Sequence, residues 1–448
     1  MADLRAKEFD SIVVKSNEVF DRLNHFEKFV SNGVYRFFNS VVMDKVLPEV
    51  SSFKESLPRI DEPKNERELI VAELNRRLDG AILSLEQMVD SNYVEFDKIL
   101  SLLAIPEQDV KDLEGWLSEN KLRVESIVKQ LYEDGTFEYQ LNIQSDVPKI
   151  SKKMQEFADH VVKNYHKLLG PFIGKLTSGG EFLGDIDVTI TLNGRSYYNP
   201  VFNTVALNPF QICFIDKKKE FNVNELALIR VYGHEVMGHA LNSVLSEKSN
   251  LPLFLKSYSL SHSTLPTAES VAQFYEKIIF SDIKNDKEIQ QKLGIADDFE
   301  EMYKKFHNES LLSDYLNNFN LYTIYVLADK SKGDQLDEKI HLIERFSFSK
   351  ANAYYQVDYF LKNFVDHKGN LNPRTVSELK YCVKSAYRAY QEFIDKGFDY
   401  SKHEDRSIID KTLLEGYWTP QGLEQKARLI ASELSESREN ISKFSYIL

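Results

Sequence analysis

The segment NELALIRVYGHEVMGHALNSVLSEK, residues 224–248, has the pattern of one long amphipathic helix. Asn224 is a favourable N-cap, and Glu225 follows in the first turn, where a negative charge is stabilising. One apolar stripe at helical spacing then runs through Leu226, Ile229, Tyr232, Val236 and Ala240. The same helix carries two histidines within the sequence HEVMGH, and histidine is the commonest metal ligand in proteins.

His234 and His239 are separated by one residue more than the histidines of an ordinary helical HExxH motif. In a regular α-helix, residues i and i+5 lie roughly 140° apart around the axis, which is too far for one metal ion. A π-helical turn would bring them back to within about 50°. Gly238 lies inside the motif and lowers the steric resistance to such a distortion. The spacing therefore predicts a locally widened turn between His234 and His239.

Glu235 directly follows the first histidine and is the candidate general base. A hydrolytic zinc site needs three protein ligands, an open position for water, and a group that accepts the proton of that water. Zinc lowers the pKa of bound water to about 7, so that a carboxylate suffices as the base. The motif thus predicts a Zn²⁺ cofactor with Glu235 as the catalytic residue and one further ligand elsewhere.

The third ligand is expected on the next helix along the chain. Pro266 and Thr267 mark a helix start, which puts Glu269 in the first turn of that helix. Glu269 is the first choice as the ligand, and Glu276, about two turns later, is the second. His262 is close in sequence and could be a ligand, an oxyanion stabiliser or a bystander.

The rest of the chain indicates a predominantly helical α+β protein. Residues 1–135 have helical periodicity, with a break at 56–63, and helical pattern returns at 151–168. Strand-like alternation occurs at 137–143 and 187–192, and residues 204–207 are also β-leaning; Asn193-Gly194 could close a hairpin between the last two segments. We predict a helical N-terminal region at 1–135, followed at 136–448 by a zincin-like catalytic domain whose small sheet precedes the metal-motif helix.

Composition narrows the classes of protein. The 448 residues carry a net charge of −13, which argues against a nucleic-acid partner because phosphate backbones would be repelled. Cys213 and Cys382 are too few and too distant for a disulfide framework and predict two free thiols. No apolar run approaches the ~18 residues of a membrane span, and the N-terminus lacks a signal peptide. We therefore expect a cytoplasmic protein.

The motif resembles that of the HExxxH zincins related to the microtubule-associated tyrosine carboxypeptidases, whose bacterial relatives carry a QEGLA motif. Residues 234–241 (HEVMGHAL), 250–253 (NLPL) and 265–272 (LPTAESVA) follow in the family's order and at similar distances. The resemblance covers roughly residues 185–400. It implies that His234, His239 and Glu269 bind zinc and that Glu235 is catalytic.

The resemblance also suggests substrate contacts. Residues 348–350 (FSK) followed by Tyr354 are similar to the family's FTKD-then-Tyr segment, and Arg345 lies near the position of a family arginine. Arg345, Lys350 and Tyr354 are therefore candidate substrate-binding residues, together with His262. A cation suits this role because an enzyme that trims C-termini must hold a carboxylate. The implied activity is that of a zinc metallocarboxypeptidase acting on a peptide or protein C-terminus.

Two other functions fit the sequence. Residues 268–272 (AESVA) keep the glutamate of QEGLA but not its Gln, Gly and Leu, which favours a catalytically inactive binding protein with a zincin frame. A metal hydrolase with a non-peptide substrate is the other. The zinc content of the purified protein distinguishes the inactive binding protein from an enzyme. Hydrolysis of peptides blocked at either end tests for the non-peptide hydrolase.

Overall fold

The computed structural model describes residues 6–30, 45–89, 93–133, 147–177, 180–191, 195–200, 202–215, 221–256, 263–329 and 335–436. This part of the chain is predominantly helical with a small sheet, as predicted. The helices before the sheet are α1 (Ala6–Val30), α2 (Leu47–Glu55), α3 (Glu66–Val89), α4 (Phe96–Leu103), α5 (Glu107–Glu133) and α6 (Val147–Leu176). The predicted strand at 137–143 lies outside the described residues.

The helices that follow the first sheet continue to the C-terminal part of the chain. They are α7 (Pro209–Ile212), α8 (Glu225–Tyr232), α9 (Leu241–Lys248), α10 (Leu253–Lys256), α11 (Leu265–Asn285), α12 (Lys287–Leu293), α13 (Phe299–Ala328), α14 (Leu336–Glu344), α15 (Lys350–Asn363), α16 (Thr375–Leu379), α17 (Ser385–Asp395), α18 (His403–Leu414) and α19 (Pro420–Glu436). Short 3₁₀ turns occur at Gly180–Asp185 and Lys380–Cys382. No helix in the described ranges is both long and apolar enough to cross a bilayer.

The sheet precedes the metal-motif helix, as predicted, but its topology differs from the expected hairpin. Strands β1 (Asp187–Ile190), β2 (Tyr197–Asn199) and β3 (Thr204–Leu207) lie in the order β1-β3-β2. β1 is parallel to β3, so a two-residue turn cannot connect them, and the predicted hairpin is wrong. β2 is the antiparallel neighbour of β3 instead. β4 (Cys213–Ile215) and β5 (Phe221–Val223) form a separate antiparallel pair.

Two apolar clusters hold these elements together. The first core surrounds the metal-motif helix and includes Val236, Met237 and Leu241 from that helix, with residues of α1, α3, α6 and α17–α19. The second core joins α4 and α5 to α13–α15. Helix α13 belongs to both, because Phe306 lies in the first core and Tyr322 in the second. The N-terminal helices thus contribute to the same cores as the later ones, while the predicted boundary near residue 135 falls in an undescribed range.

The predicted metal-motif helix is present and is continuous from Glu225 to Lys248 in three parts: α8, a π-helical segment and α9. Asn224 caps it, since its side chain accepts a hydrogen bond from the backbone N–H of Ala227 at 3.1 Å. The predicted apolar stripe is buried along its whole length. Both cysteines are buried free thiols, as predicted.

Candidate metal centre

The predicted widened turn is a π-helix that spans Gly233–Ala240. At its end the backbone N–H of Leu241 donates to the carbonyl oxygen of Val236, five residues earlier, in place of the α-helical bond four residues back. The wider turn brings His234 and His239 onto one side of the helix, and their ring centroids lie 4.9 Å apart. The extra residue between the histidines is therefore accommodated by the backbone, as the sequence predicts.

Two glycines in this segment let helix α11 cross it at close range. A Cβ atom on Gly238 would lie 2.4 Å from the Cα of Ala272, and one on Gly233 would lie 3.0 Å from the carbonyl oxygen of Tyr275. The two glycines are five residues apart, like the histidines, so the π-helix also brings them to a common face. Gly238 is thus required by close packing against α11, a reason that the sequence alone does not reveal.

Helix α11 begins at Leu265, next to the proline that predicts its start, and Glu269 is its fifth residue, just past the first turn in which it was predicted. The Nε2 atoms of His234 and His239 face each other at 3.3 Å, and Oε2 of Glu269 lies 3.4 Å from Nε2 of His234. Ligand atoms of all three residues lie within 4.8 Å of one another. The described part of the chain contains this triad as a group that could hold a metal ion.

Glu276, the second choice for the third ligand, contacts the opposite side of the His234 ring. Its Oε1 is 2.6 Å from Nδ1 of His234, while its Oε2 accepts from Nε of Arg230 at 2.7 Å. This contact assigns the Nδ1 proton and leaves Nε2 as the atom available to a metal. Glu276 is therefore an orienting residue, and Arg230 balances its charge.

Glu269 presents only one of its oxygens to the histidines. Oε1 accepts from Nζ of Lys380 at 2.7 Å, whereas the buried Oε2 has no hydrogen-bond partner among the described residues. Glu269 is 6 % exposed, so that an unpaired acceptor here is energetically unfavourable unless a cation or a proton completes it. The position of this oxygen, 3.4 Å from Nε2 of His234, suits either a proton on that ring or a bound cation.

The pKa values of the two histidines diverge in this surrounding. Burial alone would lower the pKa of His234, but the carboxylates of Glu269 and Glu276 on either side of the ring raise it to about 10. Burial and then the charge of His234 lower the pKa of His239 to about 4. For Glu269, burial is outweighed by the His234 contact and by positive neighbours, so its pKa is lowered. In the metal-free protein, the proton that a metal ion would replace is therefore the one on the His234 ring that faces Glu269 and His239.

Glu235 lies on the same π-helix and is only 7 % exposed. Burial raises its pKa to about 7; the charge of His234 opposes this shift, and the charge of Glu269 adds to it. Its carboxylate also accepts a hydrogen bond from the backbone N–H of Tyr198 on β2, an edge strand of the sheet. A carboxylate with a pKa near neutrality can both accept and return a proton at physiological pH.

The other predicted site residues lie elsewhere or are not described. The guanidinium of Arg345 donates to Glu114 at 2.6 Å, and the Arg345 carbonyl accepts from Lys121, so its contacts are with α5. Lys350 lies over the ring of Tyr354, which is 47 % exposed. The structure does not connect these three residues to the triad by any described contact, and their role in substrate binding stays a prediction. His262 lies outside the described residues.

Sequence reasoning missed Lys380, which is 111 residues from Glu269 along the chain and belongs to no recognisable motif. Tyr381 is the next residue along the chain and also lies near the site: burial raises its pKa, the charge of Glu269 adds to this, and Lys380 and Arg195 oppose it. Spacing rules reach only neighbouring turns of one helix, so they cannot find such long-range partners. Searches against protein-family models, curated proteins and solved structures found no match to this chain.

Proposed function

We propose that this protein is a zinc-dependent peptidase and that it acts as a carboxypeptidase. The observation that carries the proposal is the convergence of His234 Nε2, His239 Nε2 and Glu269 Oε2 beside a buried carboxylate, Glu235. Two imidazoles and one carboxylate are a donor set of catalytic zinc sites, which keep a further position open.

The distances between the donor atoms fit zinc. Ligands bound at about 2.0–2.1 Å in a tetrahedral arrangement lie about 3.3 Å from one another. The two measured separations from Nε2 of His234 are 3.3 Å and 3.4 Å. The third pair of donor atoms, on His239 and Glu269, lies within 4.8 Å, and the ion would give Oε2 of Glu269 a partner.

When bound, zinc supplies Lewis acidity and lowers the pKa of a coordinated water molecule. Glu235 would accept a proton from the attacking water and return it to the leaving amine, a role suited to a buried carboxylate whose pKa is raised to about 7. Glu276 keeps the His234 ring in the required tautomer through Nδ1. The backbone N–H of Tyr198 holds the Glu235 carboxylate in place.

The carboxypeptidase mode requires a cation for the substrate's terminal carboxylate. Arg195 precedes β2, is exposed, and makes no ion pair with the described residues. Its charge acts on Tyr381, which adjoins the Lys380–Glu269 pair, so Arg195 lies within electrostatic range of the site. Arg345 is already paired with Glu114, which makes Arg195 the better candidate for binding the carboxylate.

The first test of the proposal is metal content, followed by hydrolysis of short peptides. We expect about one zinc per chain after gentle purification. Glu235→Gln should keep the metal and lose about 10²–10⁴-fold in hydrolysis, because only the proton acceptor is removed. Glu247→Gln, on an exposed position of α9, is the matched control and should retain activity.

Blocked peptides then test the mode of cleavage. A carboxypeptidase cleaves N-acetylated peptides and fails on C-terminally amidated ones, and Arg195→Met should raise KM for free C-termini. If the wild-type protein cleaves amidated peptides as fast as peptides with a free C-terminus, the exopeptidase mode is contradicted. The peptidase proposal itself would remain. A protein that binds no zinc, or that binds it without hydrolysing any peptide, would contradict the peptidase.

A further inference from the structure

Lys380 contacts the candidate metal ligand Glu269 in an unusual way. It lies on the 3₁₀ turn Lys380–Cys382, which follows α16 and packs against α11. Its ammonium is 2.7 Å from Oε1 of Glu269, and the Lys380 and Glu269 side chains are 19 % and 8 % exposed. A positive charge beside a metal ligand opposes the binding of a cation, so its presence there calls for a physical reason.

The two oxygens of Glu269 are in different situations. Oε1 is occupied by the charge-assisted hydrogen bond from Lys380, whereas the buried Oε2 has no hydrogen-bond partner and lies 3.4 Å from Nε2 of His234. A carboxylate whose two oxygens are both free can bind a metal through both. Here the hydrogen bond from the Lys380 ammonium occupies Oε1, which leaves Oε2 as the oxygen available to a metal ion.

We propose that Lys380 is a positioning residue that restricts Glu269 to one-oxygen ligation and thereby keeps a coordination position open for water. This inference rests on the proposed metal site. A catalytic zinc site differs from a closed structural one by that open position, and a two-oxygen carboxylate would fill it. The ion pair holds Oε1 in a largely buried setting where salt screens little, and the same ammonium also donates a hydrogen bond to Tyr381.

Cobalt(II) in place of zinc reports the coordination number directly, because its visible absorption is strong in four-coordinate sites and much weaker at higher coordination. In the cobalt-loaded full chain we expect a strong band for wild type and for Lys380→Arg, which keeps a cation against Oε1. Lys380→Met should give a band several-fold weaker, because Oε1 joins the metal. X-ray absorption of the zinc-loaded variants should show one more oxygen neighbour in Lys380→Met.

Lys384→Met is the matched control. Lys384 is four residues further along and pairs with Asp314 at 2.7 Å, a carboxylate outside the ligand set, so its removal should leave the cobalt band unchanged. If Lys380→Met does not fold, Lys380→Leu carries the same expectation, because it also removes the hydrogen-bond donor to Oε1. An unchanged band in folded Lys380→Met overturns the positioning role and leaves the metal site standing. Failure of the wild type to bind cobalt overturns both.

Discussion

Helix α11 carries two buried polar networks on neighbouring faces, and they differ in how their polar atoms are paired. Glu269 and Glu276 belong to the candidate metal centre, whereas Tyr275 and Asp282 belong to a second network around Arg406. We call the latter the Arg406 network; it also contains Asp410, Tyr400 and Thr177. Both have titratable groups withdrawn from water, so burial alone does not distinguish a site from a structural feature.

In the Arg406 network every charge faces an opposite one. The guanidinium holds Asp282 through two hydrogen bonds of 2.8 Å and 2.7 Å, and its Nε lies 3.5 Å from Oδ2 of Asp410. Oδ1 of Asp410 accepts from both Tyr275 and Tyr400 at 2.7 Å. In the metal centre, acceptor atoms face one another instead. The comparison teaches that converging acceptors, rather than buried charge, indicate a ligand site.

Arg406→Met gives the largest expected effect on stability, because it leaves Asp282 and Asp410 buried without a cation. We expect the free energy of unfolding to fall by about 3–5 kcal/mol, measured by urea titration of the metal-free protein. Arg428→Met removes an arginine that is 62 % exposed from its pair with Glu392 and should cost at most about 1 kcal/mol. Equal costs for the two variants would mean that the Arg406 network is no more than a surface pair.

His239→Ala tests the metal centre in the opposite way. Removing one of three converging acceptors should weaken zinc binding by more than about 100-fold, the upper end for an outer-shell partner. The free energy of unfolding of the metal-free protein should change little in comparison with Arg406→Met, because the acceptors face one another there. Chelator competition measures the affinity, with the exposed His160→Ala as control. Unchanged zinc affinity in His239→Ala would exclude the triad as the binding site.

Gly238→Ala probes the packing that joins the π-helix to α11. The new Cβ would lie 2.4 Å from the Cα of Ala272, so we expect a loss of about 1–3 kcal/mol from overpacking, together with weaker zinc binding as Glu269 moves away. Gly115→Ala is the control within α5, where nothing lies within 4 Å of the added atom. That change should stabilise the protein by about 0.5–1 kcal/mol. A stabilising Gly238→Ala would contradict the close crossing of the two helices.

The parts of the fold that the sequence predicts are those governed by local spacing. The capped helix at Asn224, the widened turn between the histidines and the helix start before Glu269 all follow from patterns within a few turns. The hairpin prediction was wrong because β2 is three residues long and has no apolar alternation to reveal it. Without β2, the parallel pairing of β1 and β3 cannot be inferred.

In the candidate metal centre, too, the residues that local spacing governs were predicted and the distant ones were not. Its three converging residues come from one motif and the helix after it, whereas the contacts that set their chemistry come from distant positions such as Lys380. The sequence offers Glu276 as the second choice for the third ligand, and only the structure distinguishes an orienting residue from a ligand. Tertiary contacts of this kind depend on how helices cross, which no local pattern encodes.

The pH dependence of metal binding is the smallest expected effect and the most specific to the metal centre. Without metal, His234 keeps its proton up to a pKa of about 10, while the pKa of His239 near 4 leaves that ring neutral. A metal ion must take the Nε2 lone pair of His234, so binding at pH 8 should release about one proton, and affinity should rise about tenfold per pH unit.

Calorimetry in buffers of different ionisation enthalpy counts the protons. Glu276→Gln removes one of the carboxylates that raise the pKa of His234, so the count should fall below one at pH 8. Release of no proton by the wild type would mean that Nε2 of His234 carries no proton in the metal-free centre at this pH.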